Sequence, residues 1–404
     1  MSARTGAAAL SAVVVGVLAL AGCGGDAGGT GGGDGPYRVV VSGAASAQGV
    51  LAANSATSTL SAEAAAKAIN AAGGINGRDI ELVKIDDGGD ATKGLTALQE
   101  QIAEAKPDAY LNSGPTTLSA AVLPVLARNN IIFMNSGSSP EAADAEKYPL
   151  TFNLPTLPDV QTKAFVPEME KSGYKSVGIL HSNSPFGKAF GDSAPDVFAE
   201  AGFEVTGNEE YDGAALDLTA QLSSLKAGNP DVIALNGYGP AIGYAVKGLQ
   251  TLDWDVPILG DTAVASTNLL ATAPPSGLVG SPLVSNLKMQ VMRSTSYDAA
   301  DDRVNAMVEA MSSAGTIKST LINAWNWDAL HLIAAAANKA GSSDAAAIAE
   351  AMEDPAVTAE ADTAVLSAYN YTADSHASQP GDDEFVFIAP SLLRNGQFGN
   401  PDAG

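Results

Sequence analysis

Cysteine is almost absent: the chain of 404 residues has one, Cys23. A single thiol cannot close an intramolecular disulfide, and no cysteine or histidine stands beside Cys23 at metal-ligand spacing, which excludes a disulfide framework and a zinc centre there. Histidine is nearly as scarce. His181, His331 and His376 lie far apart, and neither a G-x-S-x-G elbow nor an H-E-x-x-H motif occurs, so the familiar hydrolase readings have no anchor. Paired carboxylates for glycoside cleavage are a matter of spatial separation, which sequence does not decide. Positive charge is also in short supply, with 21 Lys and Arg against 45 Asp and Glu and a net charge of −24. Such a surface repels phosphate backbones and anionic headgroups, which argues against nucleic-acid or membrane-surface binding. Its plain meaning is a well-solvated acidic exterior. Long apolar runs are missing too: the segment from Ala7 to Ala21 falls short of the roughly 20 residues that a membrane span needs.

What is present begins with that segment. Arg4 followed by the apolar run has the charged start and apolar middle of a secretory signal peptide. Leu20-Ala21-Gly22-Cys23 resembles a bacterial lipobox, in which the cysteine is lipidated and becomes the new N-terminus. The expectation is a signal peptide over 1–22 and a glycine-rich flexible tether over 23–36. Two or more acyl chains on Cys23 would anchor the chain stably to the outer face of the cytoplasmic membrane. The alternative is cleavage after the preceding alanines, giving a secreted protein with an incidental cysteine.

The remainder is too long for one ordinary core and suits two domains. It alternates β-rich runs with amphipathic helical windows, which predicts an α/β fold of parallel sheets covered by helices. Strands are expected at 37–43, 79–87, 108–114, 131–137, 176–183, 203–211, 231–237 and 256–261. Several end in small or polar residues, among them Asn112-Ser113, Asn135-Ser136 and Asn236-Gly237. Ligands of open α/β sheets bind beyond the carboxyl ends of strands, so these loops are where a site is expected.

The segments "AKAINAAGGINGRDIELVKIDD" (66–87), "SNSPFGKA" (182–189), "DVIALNGYGPAIGYAVKGLQ" (231–250) and "YTADSHASQPGDDEFVFI" (371–388) resemble the extracellular solute-binding proteins of ABC importers, in the type I group that includes leucine/isoleucine/valine-binding proteins. The resemblance runs from about Tyr37 to Gly399. It implies two lobes, each a mostly parallel sheet flanked by helices, joined by three crossovers and closing on a ligand by hinge motion. The crossovers are expected near 154–158, 284–288 and 362–370. The N-lobe would then be 37–155 with 287–363, and the C-lobe 156–286 with 364–404.

The same resemblance implies a site. Thr116 and Thr117 of "SGPTTLS" correspond to a loop whose hydroxyl and N–H groups hold a ligand carboxylate, and Ser136, Gly137 and Ser138 belong to the next contributing loop. Ordinary N-capping by Ser and Thr would look the same. Phe186 stands where relatives place a covering aromatic, Tyr238 is a second lid by position, and Asp261 falls where relatives carry a polar group facing the ligand ammonium. The first cleft loop offers Ser46 and Gln48 and lacks the large ring many relatives have there, which leaves ligand identity open. None of these loops carries Arg or Lys, so a small amino acid, branched-chain-like, or a related amide is expected rather than a multiply charged anion. Expected partners are an ABC permease and ATPase, with the chain a monomer that needs no cofactor and no metal. Two rivals remain: a ligand sensor using the same cleft, and a nucleotide-dependent exported enzyme. The latter rests on "GYGPAIG" (237–243) with Asp261 downstream as a ribose-binding acid, although Gly237 and Gly239 have a plain use in a tight turn.

Overall fold

The computed structural model describes residues 35–113, 116–137, 139–381 and 384–399. The expected signal peptide, Cys23 and the tether up to residue 34 lie outside them. Among the described residues no helix is long and apolar enough to cross a membrane.

Two parallel sheets organise the chain. The first contains β1 (Tyr37–Gly43), β2 (Ile80–Asp86), β3 (Ala109–Leu111), β4 (Ile132–Asn135) and β5 (Thr151–Asn153), in the spatial order β2-β1-β3-β4-β5. The second contains β6 (Ser176–Ser182), β7 (Glu204–Tyr211), β8 (Val232–Leu235), β9 (Ile258–Gly260), β10 (Leu287–Met292) and β11 (Phe385–Ile388), in the order β11-β10-β9-β8-β6-β7. Within these two sheets every pairing is parallel except that of β11 with β10. Central strands such as Val232–Leu235 are buried along their whole length, as expected where helices cover both faces.

Small residues let the helices approach closely. The helices Gly49–Ala71 and Trp325–Ala340 bring Ala62, Ala65, Ala329 and Ala336, each fully buried, into one core with Val39, Val41 and Phe152. A second core joins Leu222, Ile242 and Val246 to Leu235, Ile258 and Met289. Each fully buried aliphatic side chain in these cores contributes about 1.5–3 kcal/mol relative to exposure.

The lobe limits differ from those expected from sequence. Leu287–Met292 lies in the second sheet, held by parallel pairing of Leu287 with Ile258 and Met289 with Gly260, so the chain leaves that lobe only after Met292. The segment after residue 364 still belongs to the first lobe: Val365, Leu366, Tyr369 and Tyr371 are buried in its core, and the second sheet is regained at Phe385. Apolar burial, rather than the polar punctuation visible in the sequence, decides both limits.

Parallel register brings the carboxyl ends of neighbouring strands level. Gly43 pairs with Asp86, Leu111 with Met134 and Asn135 with Asn153, and in the second sheet Ser182 pairs with Tyr211 and Leu235 with Gly260. The loops that follow form one polar rim on each lobe.

Candidate functional site

On the first lobe, the loop after β1 is fixed at its base by Ser55, whose hydroxyl accepts from Ala44 N at 2.6 Å. Ser46 and Gln48 are exposed in that loop. The Ser46 amide donates to Asp86 Oδ1 at 3.1 Å, and its hydroxyl accepts from Lys93 Nζ at 3.3 Å. Lys93 pairs with Asp86 at 2.6 Å, and together with Ser46 it holds the Asp86 carboxyl well below the usual carboxylate range. Ser46 is thus engaged by its own lobe. Gln48 precedes the helix Gly49–Ala71 and makes no capping bond with its side chain.

At the end of β3, buried Asn112 leads to half-buried Ser113. Thr116 opens the helix Thr116–Arg128, and Thr117 is exposed on its first turn. At the end of β4, Ser136 is half-buried and Gly137 buried, whereas Ser138 lies outside the described residues. Ser136 is fastened by Asn112, whose Oδ1 accepts from its amide at 2.7 Å and from its hydroxyl at 3.0 Å. Thr117, Ser136 and Gly137 therefore occupy adjacent strand ends.

The second lobe repeats the arrangement with different residues. Ser184 caps the helix Pro185–Glu200 by accepting from Gly187 N at 3.0 Å, which sets half-buried Phe186 on the first turn. Gly187 has no room for a side chain: a Cβ there would meet the Ser182 carbonyl at 2.3 Å. Gly239, with φ at +63°, supplies the turn before the helix Pro240–Thr251. That turn leaves Tyr238 47% exposed, with its hydroxyl beside the Asn54 side chain of the first lobe. Partial burial pushes the Tyr238 phenol up, and Asn54 opposes the shift.

Asp261 is buried at the end of β9. It is 1% exposed, its Oδ1 accepts from Val264 N at 3.1 Å as the cap of the short helix Thr262–Ala265, and its Oδ2 accepts from Asn236 Nδ2 at 2.6 Å. Burial pushes its carboxyl up to about 7, against the opposing pull of Asn236 and of the Val264, Ala263 and Gly237 amides. Asn236 in turn accepts from the Ser182 amide and hydroxyl at 3.2 and 2.9 Å. Both carboxyl oxygens are thus engaged within the second lobe, where they tie β9 to β8 and β6. Its position at a strand end was legible, but its burial was not.

Sequence reasoning missed Asn54 altogether, and it noted Asn112, Asn135 and Asn236 only as strand ends. Their signal was an asparagine closing one strand after another, at "LNSG", "MNSG", "FNLP" and "LNGY". His181 is buried, with Nδ1 3.2 Å from the Ser182 carbonyl and its ring against Gly191. Among the described residues no group of three or more His, Cys, Asp or Glu could hold a metal.

Two lobes of parallel sheet, linked by three crossovers and carrying polar rims at their strand ends, define the type I periplasmic-binding-protein fold. The profile of the periplasmic binding proteins matches residues 39–381, and the chain belongs to that family. It is 25% identical over 297 residues to Leu/Ile/Val-binding protein homolog 1 of Brucella abortus, covering 72% of this chain and 76% of that one. A type 1 periplasmic binding protein from Bordetella pertussis superposes with a TM-score of 0.71 at 18% identity, over 90% of this chain and 98% of its own. The branched-chain amino acid transporter substrate-binding protein of Streptococcus pneumoniae, solved in complex with isoleucine, gives 0.64 at 18% identity, over 90% and 98%. These relatives are named as binding proteins, and their likeness in structure is one of fold.

Proposed function

We propose that the chain is the extracellular binding subunit of an ABC importer, lipidated at Cys23 and anchored to the outer face of the cytoplasmic membrane, and that it captures a small amino acid, branched-chain-like, or a related amide. The observation that carries this reading is membership of a family whose curated relatives are named for Leu, Ile and Val, and it is supported by Thr117, Ser136 and Gly137 at strand ends of one lobe and Phe186 and Tyr238 at strand ends of the other. Hydroxyl and N–H groups suit a ligand carboxylate, and the aromatics suit an aliphatic body. The lobes are taken to close because the ligand touches both rims only in the closed state, which shifts the population toward it. The chain acts by binding and carries out no reaction. The test is calorimetric titration of the ligand-stripped full chain with L-leucine, L-isoleucine, L-valine and small amides. One-to-one binding, weakened by Thr117→Ala and by Tyr238→Ala, supports the reading. Silence from every one of these solutes sinks it.

A further inference from the structure

Three neighbouring strands of the first sheet, β3, β4 and β5, each end in an asparagine whose side chain is completely buried: Asn112, Asn135 and Asn153. Their amides are joined in series. Asn112 Nδ2 donates to Asn135 Oδ1 at 3.4 Å, and Asn135 Nδ2 donates to Asn153 Oδ1 at 2.7 Å. Each also holds one residue of the loop that follows β4. Asn112 Oδ1 accepts from the Ser136 amide at 2.7 Å, Asn135 brackets Gly137 by accepting from its N–H at 2.9 Å and donating to its carbonyl at 2.7 Å, and Asn153 Nδ2 donates to the Ser139 carbonyl at 2.7 Å. Asn112 Nδ2 further donates to Ser119 Oγ at 2.8 Å, on the first turns of the helix that carries Thr117. A buried polar row of this kind is stable only when each member is satisfied, and losing one member leaves its neighbours unpaired.

The far end of the row meets the crossovers. The Asn153 amide donates to the His376 carbonyl at 2.9 Å, and its own carbonyl accepts from Tyr371 Oη at 2.9 Å. One residue on, Leu154 N donates to Asn135 O at 2.9 Å, and Thr156 bridges to Ser378 where the first and third crossovers run side by side. One end of the row therefore touches the proposed ligand loops and the other touches the hinge.

We propose that Asn112, Asn135 and Asn153 are positioning residues for the proposed ligand site: they preset the loop after β4 in its binding geometry and tie that geometry to the first and third crossovers. This deepens the reading of the cleft as a solute site and rests on it. Asn153 is the informative member, because its side chain reaches Asn135 and Ser139 and none of the residues proposed to touch ligand.

The experiment uses the full chain and its Asn153→Ala and Asn153→Ser variants, with L-leucine as the probe. Hydrogen exchange is followed in the peptides covering β4 and its loop and, as a reference, in β1. Loss of the Asn153 amide is expected to speed exchange in the β4 loop about tenfold with β1 unchanged, and to weaken L-leucine about fivefold through faster dissociation, as removal of one member of a coupled row requires. The milder Asn153→Ser is expected to show the same pattern at smaller size, which covers the case in which the alanine variant does not fold. Unchanged exchange in the β4 loop and unchanged L-leucine affinity, with only a lowered melting temperature, would overturn the proposal and leave Asn153 a purely structural residue. If the parent chain ignores L-leucine, L-isoleucine and L-valine, the proposed ligand class fails, and the exchange comparison still decides for or against the row.

Discussion

Asp261 is held by its own lobe on both oxygens, and a structural role and a ligand-facing role for it predict different outcomes. As a counter-ion for a ligand ammonium it would lose most of its effect on conversion to the neutral amide. As the helix cap that the structure shows, it can be replaced by asparagine with the capping oxygen retained, although the hydrogen bond from Asn236 Nδ2 is lost. Asp261→Asn is therefore expected to leave L-leucine affinity within about threefold of the parent, whereas a direct ion-pair role predicts a loss of about a hundredfold. Asp261→Ala removes the cap, about 1 kcal/mol, and strands the buried Asn236 amide for about 1–3 kcal/mol more, so unfolding by denaturant should report a loss of about 2–4 kcal/mol. Calorimetry and denaturant melts on the two variants separate the roles. The sequence could not do so, because a carboxylate at a strand end reads alike whether it faces solvent or caps the next turn.

At the scale of elements, the strands with strong β-branched runs were legible. "YRVVVSG", "DVIALNG" and "VPILGD" each contain the observed strand, because such residues fit a pleated, buried surface. β5, with three residues, and β11, half-buried throughout, are too weakly marked, and β10 hides behind a polar stretch that reads as a crossover. The third crossover adds a feature that only structure reveals. Four consecutive amides are taken by two buried carboxylates, those of Ala364, Val365 and Leu366 by Asp328 and that of Ser367 by Glu384. Tyr369 also donates to Asp328, at 2.6 Å. Burial pushes Asp328 up to about 6 and Glu384 up to about 7, the opposing amides, hydroxyls and Arg293 notwithstanding. A raised carboxylate pKa means that the folded state binds more protons than the unfolded one between the unfolded value near 4 and the folded value, so stability falls as pH rises through that window. The melting temperature is expected to be higher at pH 5.5 than at pH 8, and Glu384→Gln should flatten the dependence between pH 5 and 7. A profile that climbs with pH over the same range would contradict this account.

For the whole molecule, the approach of Tyr238 to Asn54 offers a test of closure. An approach of Tyr238 to Asn54 that is lost when the lobes part favours the closed arrangement over the open one. Apparent affinity scales with the fraction of molecules able to bind, and a change that favours the open state weakens every ligand by the same factor. The net charge of −24 acts in the opposite sense, since two acidic lobes repel each other and salt screens that repulsion. Tyr238→Ala removes the inter-lobe contact together with the proposed lid, and should weaken L-leucine about tenfold, chiefly through dissociation. Tyr238→Phe keeps the ring and loses only the hydroxyl that meets Asn54, so it isolates the closure contribution. Its expected signature is an equal fractional weakening of L-leucine, L-isoleucine and L-valine, partly restored by raising salt from 0.01 to about 0.15 M as the lobes cease to repel. A loss confined to one of the three ligands would instead place the Tyr238 hydroxyl in direct contact with solute. Stopped-flow dissociation with each ligand at both salt concentrations distinguishes the two outcomes.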